Sequence, residues 1–333
     1  MPLPTATEIE TAAAIVYGAM PATPQYSWPL LNQALDTEVW VKHENHTPTG
    51  AFKVRGGLVY MHALVRRLPD VKGIVCATRG NHGQSLAFAA RRHGVHATIV
   101  VPHGNSVEKN AAMRALDAQL IEHGADFQAS REHAQWLAER DGLHMVPSFH
   151  HDLVAGVATA WLELFRAQPG LDLILVPIGQ GSGICAAIAA RNALGLKTRI
   201  IGVASSHALA YQHSFRAGQV IESDVSTVLA DGMACRMPDP TSLSIMLEHV
   251  DDVICVTDDE VAGAMRLYYR ATHNLAEGAG AAALAAALQL KDDPRFKGRK
   301  IGLPLSGGNV DAELFARILQ AEPGQPGSAW VNN

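Results

Sequence analysis

Short runs of consecutive apolar residues, rich in Val and Ile, alternate along the chain with longer stretches rich in Ala and Leu. Unbroken apolar runs are typical of strands covered on both faces, whereas a strand with one solvent face alternates apolar and polar residues. Strands that alternate with helices predict a parallel sheet with crossover helices, which is an α/β fold. The predicted strands are residues 39–41, 73–76, 97–101, 173–176, 199–203, 253–256 and 300–305.

The Ala- and Leu-rich stretches between these runs predict helices, among them residues 85–93 and 184–194. The most apolar stretch, residues 279–290, stops at Lys291 after 12 residues. A helix needs about 20 apolar residues to span a bilayer, so this stretch predicts a buried helix and no membrane partner. The Pro- and Gly-rich segment 323–328 predicts a frayed terminal loop.

The composition narrows the class of protein. The chain has 333 residues, of which 48% are apolar and 18% charged, a balance that excludes intrinsic disorder. At about 150 residues per domain, this length predicts about two domains or one large one. The net charge of −5 argues against nucleic acid as a partner, because binding to its phosphates requires a basic face. Four cysteines without a CxxC pair, and a start without a signal peptide, predict a reduced, cytoplasmic protein.

Three glycine-rich segments each follow a predicted strand: residues 78–84, 179–183 and 306–309. In open α/β sheets, ligands bind beyond the carboxyl ends of the strands, which is where these segments fall. Glycine at a single such turn could serve only to close a tight connection. Three of these segments in one chain favour a shared ligand site.

Residues 179–183 (GQGSG) form the candidate phosphate loop. Backbone N–H groups at a helix N-terminus bind anions, glycine lets a phosphate approach the backbone, and Ser182 could add a hydroxyl donor. A dinucleotide site would need an acidic residue about 20 positions further on, and residues 199–205 contain none. The segment therefore favours a lone phosphate group, with a tight strand–helix turn as the alternative.

Lys53 is the candidate nucleophile. The chain has only 8 Lys against 19 Arg, and Lys53 lies among small and apolar residues with Arg55 two positions away. Partial burial and a neighbouring cation would both lower the pKa of this lysine towards neutrality. A neutral amine can form a Schiff base and act as a base. The alternative is a surface lysine at the start of a helix.

Taken together, these segments resemble one enzyme family. The motifs that carry the resemblance are TGAFKVRGG (49–57), GNHGQ (80–84), GQGSG (179–183), ADGM (230–233), AEGA (276–279) and LSGGNVD (305–311). Over residues 20–315 the chain resembles the fold-type II (tryptophan synthase β-like) pyridoxal-phosphate enzymes, in particular the serine/threonine dehydratase and serine racemase branch. The resemblance implies a large cofactor-binding domain of residues 1–65 and 152–333, a small mobile domain of residues 66–151, and a homodimer.

The resemblance also implies roles for individual residues. Lys53 would bind pyridoxal 5'-phosphate and abstract the substrate proton. The residues around the cofactor would be Phe52, Lys53, Asn81, Gly179, Gln180, Gly181, Ser182, Gly183 and Ser306, with Ser306 at the pyridine nitrogen. The substrate would contact Thr78, Arg79, Gly80, Asn81 and His82, and Asp231 and Glu277 would lie behind them, near the substrate and the ring.

The implied activity is that of a dehydratase, or ammonia-lyase, which converts a β-hydroxy amino acid such as L-threonine or L-serine to a 2-oxo acid and ammonia. A neutral serine at the pyridine nitrogen leaves that nitrogen largely unprotonated, so that loss of the β-hydroxyl competes well with return of the proton. The alternatives are a lyase for a bulkier or acidic β-hydroxy amino acid, such as 3-phenylserine or 3-hydroxyaspartate, and a β-replacement or threonine synthase-like enzyme. A cofactor-free binding protein is disfavoured because Lys53, Asn81 and Ser306 are all present.

The chain departs from the family's pattern in two places. Racemase-like members carry a serine before the Gly-Asn-His sequence as a second acid and base, and here that residue is Arg79, which stays protonated. We therefore expect little racemase activity, and Arg79 either binds a carboxylate or another polar group of the substrate or forms a structural ion pair. Where related members hold a divalent cation with acidic residues, this chain has Ala204 and Ala210, so we expect no metal site.

Overall fold

The computed structural model describes residues 1–321, which form two β-sheets flanked by helices. The strands are β1 (Gln25–Ser27), β2 (Val39–His43), β3 (Ile74–Ala77), β4 (Ala97–Val101), β5 (Gln119–Glu122), β6 (His144–Met145), β7 (Leu173–Pro177), β8 (Arg199–Ser205), β9 (Asp252–Val256) and β10 (Ile301–Leu305). The helices are α1 (Ala6–Tyr17), α2 (Pro29–Leu35), α3 (Lys53–Arg67), α4 (Asn81–Arg92), α5 (Val107–Ala115), α6 (Phe127–Asp141), α7 (His151–Ala167), α8 (Ser182–Ala193), α9 (Ala210–Ala217), α10 (Pro240–His249), α11 (Asp258–Thr272), α12 (Gly278–Leu290) and α13 (Ala312–Gln320). Short 3₁₀ turns occur at Glu44–His46 and Asp231–Met233.

The larger sheet has the strand order β1-β2-β10-β7-β8-β9. Its strands are parallel except for β1, which pairs antiparallel with β2 at the edge. Helices α2, α11, α12 and α13 cover one face with one apolar core, and α7, α8 and α10 cover the other face with a second. Because both faces are buried, the central strands carry unbroken apolar runs, as the sequence pattern predicts.

The smaller sheet is wholly parallel and has the order β5-β4-β3-β6. Helices α1, α3, α4 and α5 contribute to the core on one face, while α6 covers the other face. Its strands fall between residues 74 and 145, inside the predicted small domain of residues 66–151. The exact domain bounds and the mobility of this unit stay predictions.

The α/β fold with two parallel-dominated sheets is confirmed, and all seven predicted strands are present. The sequence analysis missed β1, β5 and β6. These strands have two to four residues and half-buried or exposed side chains, so they lack the apolar run that marks the buried strands. Each of the three lies at the edge of a sheet, where only one side needs a partner.

Helix α12 confirms the prediction of a buried helix at residues 279–290. Its glycines let it lie against the loop that follows β10, since a Cβ on Gly280 would stand 2.2 Å from the carbonyl oxygen of Gly307. Along residues 1–321, no helix is both long and apolar enough to cross a membrane. The predicted terminal loop, residues 323–328, lies outside the described residues.

Candidate active site

The segments that follow β3, β7 and β10 border one cavity of about 150 Å³. The structure brings every residue singled out from the sequence to its wall. These residues are Phe52, Lys53, Thr78, Arg79, Gly80, Asn81, His82, Gly179, Gln180, Gly181, Ser182, Gly183, Asp231, Glu277 and Ser306. The three glycine-rich segments therefore form one shared site. The contacts of individual residues to cofactor and substrate stay predictions.

Lys53 is the first residue of α3 and points to the loop after β7. The backbone N–H of Phe52 donates to the carbonyl oxygen of Ser306, which ties the start of α3 to the end of β10. The Lys53 Nζ donates to the Ser182 Oγ over 2.8 Å and has no carboxylate partner in the described chain. Burial lowers the pKa of Lys53 from 10.5 to about 8, so a share of this amine is neutral near physiological pH.

Arg55 does not contribute to this pKa shift, contrary to the expectation from the sequence. Its buried guanidinium does not line the cavity and forms ion pairs with Glu44 at 2.7 Å and Glu163 at 2.6 Å. The direction follows from helical geometry, because two residues along an α-helix rotate the side chain by about 200°. Desolvation alone accounts for the lowered pKa of Lys53.

The N-terminus of α8 is open for an anion. Gly181 precedes the helix with φ of +94° and has no side chain that could cap it. The amides of Ser182, Gly183 and Ile184 have no partner among residues 1–321. A Cβ on Gly181 would lie 2.5 Å from the Ser242 side chain, which excludes any larger residue there. Free amides at the positive end of a helix dipole suit a phosphate group.

The N-terminus of α4 forms a second concentration of free amides. The Thr78 Oγ1 accepts from the N–H of Gly80 over 2.9 Å and from that of Gly83 over 3.4 Å. The amides of Asn81 and His82 are left without a partner in the described part of the chain. Gly80 has φ of +153°, and a Cβ there would stand 2.4 Å from the Lys109 side chain. Free amides at this end of α4 suit an anionic group such as a carboxylate.

His82 is neutral in this site. Burial lowers its pKa to about 3, and the positive charge of Lys53 acts in the same direction. Its Nε2 is buried and has no partner within residues 1–321. The ring also hydrogen-bonds the Pro147 backbone carbonyl, which takes the single N–H of a neutral imidazole, so His82 has no second N–H for a carboxylate.

The sequence analysis missed Lys109 on α5. Its Nζ lies 2.8 Å from the Asp231 Oδ2 and 3.1 Å from the Glu277 Oε2. Burial alone would lower the pKa of Lys109, but these two carboxylates raise it above its usual value. For Glu277, burial raises the pKa although Lys109 opposes it. The scarcity of lysine is the one sequence signal that could have drawn attention to Lys109.

The second residue missed as part of the site is Asn309. Its Nδ2 donates to the Asn81 Oδ1 over 2.9 Å and to the Thr49 carbonyl oxygen over 2.8 Å. The Asn81 Nδ2 in turn donates to the Glu277 Oε1 over 2.5 Å. The amide oxygen of Asn81 thus joins the segment after β3 to the segment after β10, and its amide nitrogen joins that segment to the start of α12.

The residues at the cavity fit pyridoxal phosphate. Lys53 offers an amine of lowered pKa, the free amides of α8 offer a phosphate site, and Phe52 has its ring centroid 5.0 Å from the Lys53 Nζ. Ser306 offers a hydroxyl, which donates only a long 3.4 Å bond to the Ala279 carbonyl oxygen and so is open to a better partner. When bound, the cofactor would supply an electron sink for negative charge at the carbon next to the reacting amine.

At the two positions where related members hold a divalent cation with acidic residues, this chain provides no acidic ligand. Ala204 lies buried in β8, and Ala210 begins α9. Within residues 1–321, no group of three or more His, Cys, Asp or Glu side chains is arranged to hold a metal ion. The lack of a divalent cation in the working enzyme stays a prediction.

An α/β fold with a buried lysine beside an open helix N-terminus is the arrangement that suits an enzyme carrying pyridoxal phosphate on a lysine. The chain belongs to the family of pyridoxal-phosphate dependent enzymes, whose family model matches residues 16–307. Within it, the chain lies in the serine/threonine dehydratase and serine racemase branch of fold type II, which confirms the resemblance found in its motifs.

Three similar proteins illustrate the range of this branch. The L-threonine ammonia-lyase of Thermotoga maritima is 31% identical over 87% of this chain and 72% of its own length. An L-threo-3-hydroxyaspartate ammonia-lyase of a Pseudomonas species is 31% identical over 94% of this chain and 98% of its own length. The structure of maize serine racemase has a TM-score of 0.88 at 28% identity and covers 95% of this chain and 96% of its own. The chain is thus an enzyme of the ammonia-lyase and racemase type that acts on an amino acid.

Proposed function

We propose that this enzyme is an ammonia-lyase that converts a 3-hydroxy amino acid to a 2-oxo acid and ammonia. The observation that carries the proposal is Lys53, whose Nζ has a pKa of about 8 and lies 2.8 Å from the Ser182 hydroxyl at the phosphate-binding end of α8. Such an amine can take and return a proton near neutral pH. L-Threonine and L-serine are the simplest substrates of this reaction.

The N-termini of two helices bind the two anionic groups of the reaction. The free amides of α8 hold the phosphate, and those of α4 hold the substrate carboxylate. In the proposed complex the substrate lies between these two helix ends, where the Lys53 Nζ accepts the proton from the substrate Cα. The cofactor supplies the electron sink that makes this proton acidic. The β-hydroxyl leaves with a proton as water, and water then hydrolyses the released enamine to the 2-oxo acid and ammonia.

Arg79 favours elimination over racemisation. Racemisation requires a proton donor on the face of the substrate opposite Lys53, and an arginine stays protonated at any working pH and does not exchange protons. The neighbouring His82 has a pKa of about 3 and therefore carries no proton to donate as an imidazolium. We expect that protons return to the Cα far more slowly than the hydroxyl departs.

The test is release of 2-oxo acid and ammonia from the purified holoenzyme, with its visible absorbance recorded alongside. The panel holds serine, threonine, both phenylserine diastereomers and the 3-hydroxyaspartates. Lys53→Ala should abolish turnover and the visible band of the bound cofactor, whereas Lys72→Ala, at an exposed lysine outside the cavity, should leave both intact. Full activity of Lys53→Ala would contradict the proposal. A holoenzyme inactive on the whole panel would point instead to β-replacement, tested with activated substrates and added nucleophiles.

A further inference from the structure

Three lysines and one arginine line the cavity, and each of the three lysines has a hydrogen-bond or ion-pair partner. Lys42 lies 2.5 Å from the Glu163 carboxylate, and Lys109 is held by its two carboxylates. Lys53 donates to the Ser182 hydroxyl. The fourth is Arg79, which follows Thr78 in the loop after β3.

Arg79 is half-buried, yet its guanidinium makes no hydrogen bond and no ion pair within residues 1–321. The structural ion pair considered as an alternative for Arg79 is therefore not formed within the described residues. A guanidinium has five N–H donors and does not lose its charge, so removing it partly from water without a partner is costly. A partner supplied by a ligand in the cavity removes that cost.

Two anionic groups are common to every reaction of this enzyme class, the phosphate of the cofactor and the carboxylate of the substrate, and both already have places in the proposed site. The phosphate fits the N-terminus of α8, and the common carboxylate fits the N-terminus of α4, each a helix of 12 residues with unpaired first-turn amides. Arg79 is left as a cationic group on the cavity wall without a partner among residues 1–321. Its planar fork matches a carboxylate with two parallel hydrogen bonds.

We propose that Arg79 binds a second carboxylate, at the end of the substrate side chain, so that the preferred substrate is a 3-hydroxy amino dicarboxylic acid rather than threonine or serine. This inference rests on the proposed ammonia-lyase reaction and refines its substrate. Arg79 takes part in no bond-making step. It holds the side chain while Lys53 removes the Cα proton.

The sharpest test separates charge from shape. L-Aspartate and L-asparagine have nearly the same shape, differ by the side-chain charge and lack the β-hydroxyl that would leave. Their dissociation constants for the holoenzyme can be measured by titration calorimetry and by the change in visible absorbance. We expect the wild type to bind aspartate at least tenfold more tightly, which corresponds to about 1.4 kcal/mol.

Variants at Arg79 show whether this residue is the cause. Arg79→Met should remove the preference for aspartate and leave asparagine binding within about twofold, and Arg79→Lys should keep part of the preference because the charge remains. Arg66→Met is the matched control, since Arg66 is exposed, has no partner in the described chain and lies away from the cavity. It should behave as the wild type does.

Three outcomes would overturn the inference. Equal binding of aspartate and asparagine by the wild type would remove the second carboxylate site, whether or not the variants fold. Equal weakening of both ligands by Arg79→Met would assign Arg79 to the common carboxylate. Loss of the visible cofactor band in Arg79→Met and Arg79→Lys would assign it to the cofactor.

Turnover separates this inference from the proposed function. We expect kcat/KM for a 3-hydroxyaspartate to exceed that for threonine at least tenfold, and Arg79→Met to reverse the order. Threonine preferred by the wild type would refute the substrate class and leave the ammonia-lyase reaction standing. A preference for aspartate in binding, with no ammonia from any 3-hydroxy amino acid, would refute the reaction and leave the Arg79 site standing.

Discussion

Replacing Lys53 by methionine should make the cofactor-free protein more stable near pH 7, although it removes the proposed reactive amine. Burial lowers the pKa of Lys53 from 10.5 to about 8. One pKa unit corresponds to about 1.4 kcal/mol, so holding the ammonium in the fold costs up to about 3 kcal/mol. This is an upper limit, because Lys53 borders the cavity and water there hydrates part of the charge.

The stability gained by Lys53→Met should fall as the pH rises. Below pH 8 the lysine is protonated in both folded and unfolded chains, and the full cost is present. Between pH 8 and 10.5 the folded chain holds a neutral amine while the unfolded chain stays charged, so the cost falls as the pH rises. The advantage of Lys53→Met should therefore be largest below pH 8 and vanish above 10.5.

Equilibrium urea unfolding of the cofactor-free wild type and variant at a series of pH values measures this difference. Lys42→Met is the comparison variant, because burial lowers the pKa of Lys42 as well, but its ammonium lies 2.5 Å from Glu163 and donates to the Thr23 carbonyl oxygen over 2.7 Å. Its removal leaves buried acceptors unsatisfied and should cost about 1–3 kcal/mol. The reasoning fails if Lys53→Met does not stabilise the protein at pH 7, or if its gain is the same at every pH.

Three further outcomes are expected. Arg79→Ser should raise the rate of substrate racemisation, measured by chiral chromatography, because a hydroxyl at this position can exchange a proton; an unchanged rate would remove Arg79 as the barrier to racemisation. Lys109→Met should lower the free energy of unfolding by about 3–5 kcal/mol, because it strands two carboxylates, and Lys109→Arg should recover part of this loss in the same urea assay. If Lys109→Met is as stable as the wild type, the ion pairs contribute nothing. Chelation of divalent cations should leave activity and stability unchanged, because Ala204 and Ala210 offer no ligands; a loss of either would indicate a cation site elsewhere.

The sequence determined the fold class and the position of the candidate site because both depend on local patterns. Whether an apolar run is unbroken reflects how many faces of its strand are covered, and β7 and β10 follow this rule. Position 181 requires glycine because its backbone angle φ is positive and because the Ser242 side chain leaves no room for a Cβ. Lys53 stands out because its flanking residues cannot pair with it and because lysine is scarce.

Only the tertiary structure decided which charges meet. Lys109 and Asp231 are 122 residues apart, and their ion pair forms only because α5 and the turn Asp231–Met233 pack across the cavity. Arg55 lies close to Lys53 in sequence, yet the turn of α3 directs it into a separate cluster with Glu44. Likewise, Arg79 has no partner within residues 1–321, and this depends on every segment that packs around it. Periodicity and spacing record which residues are buried or lie next to each other, whereas the partner of a buried charge is set by packing between segments distant in the chain.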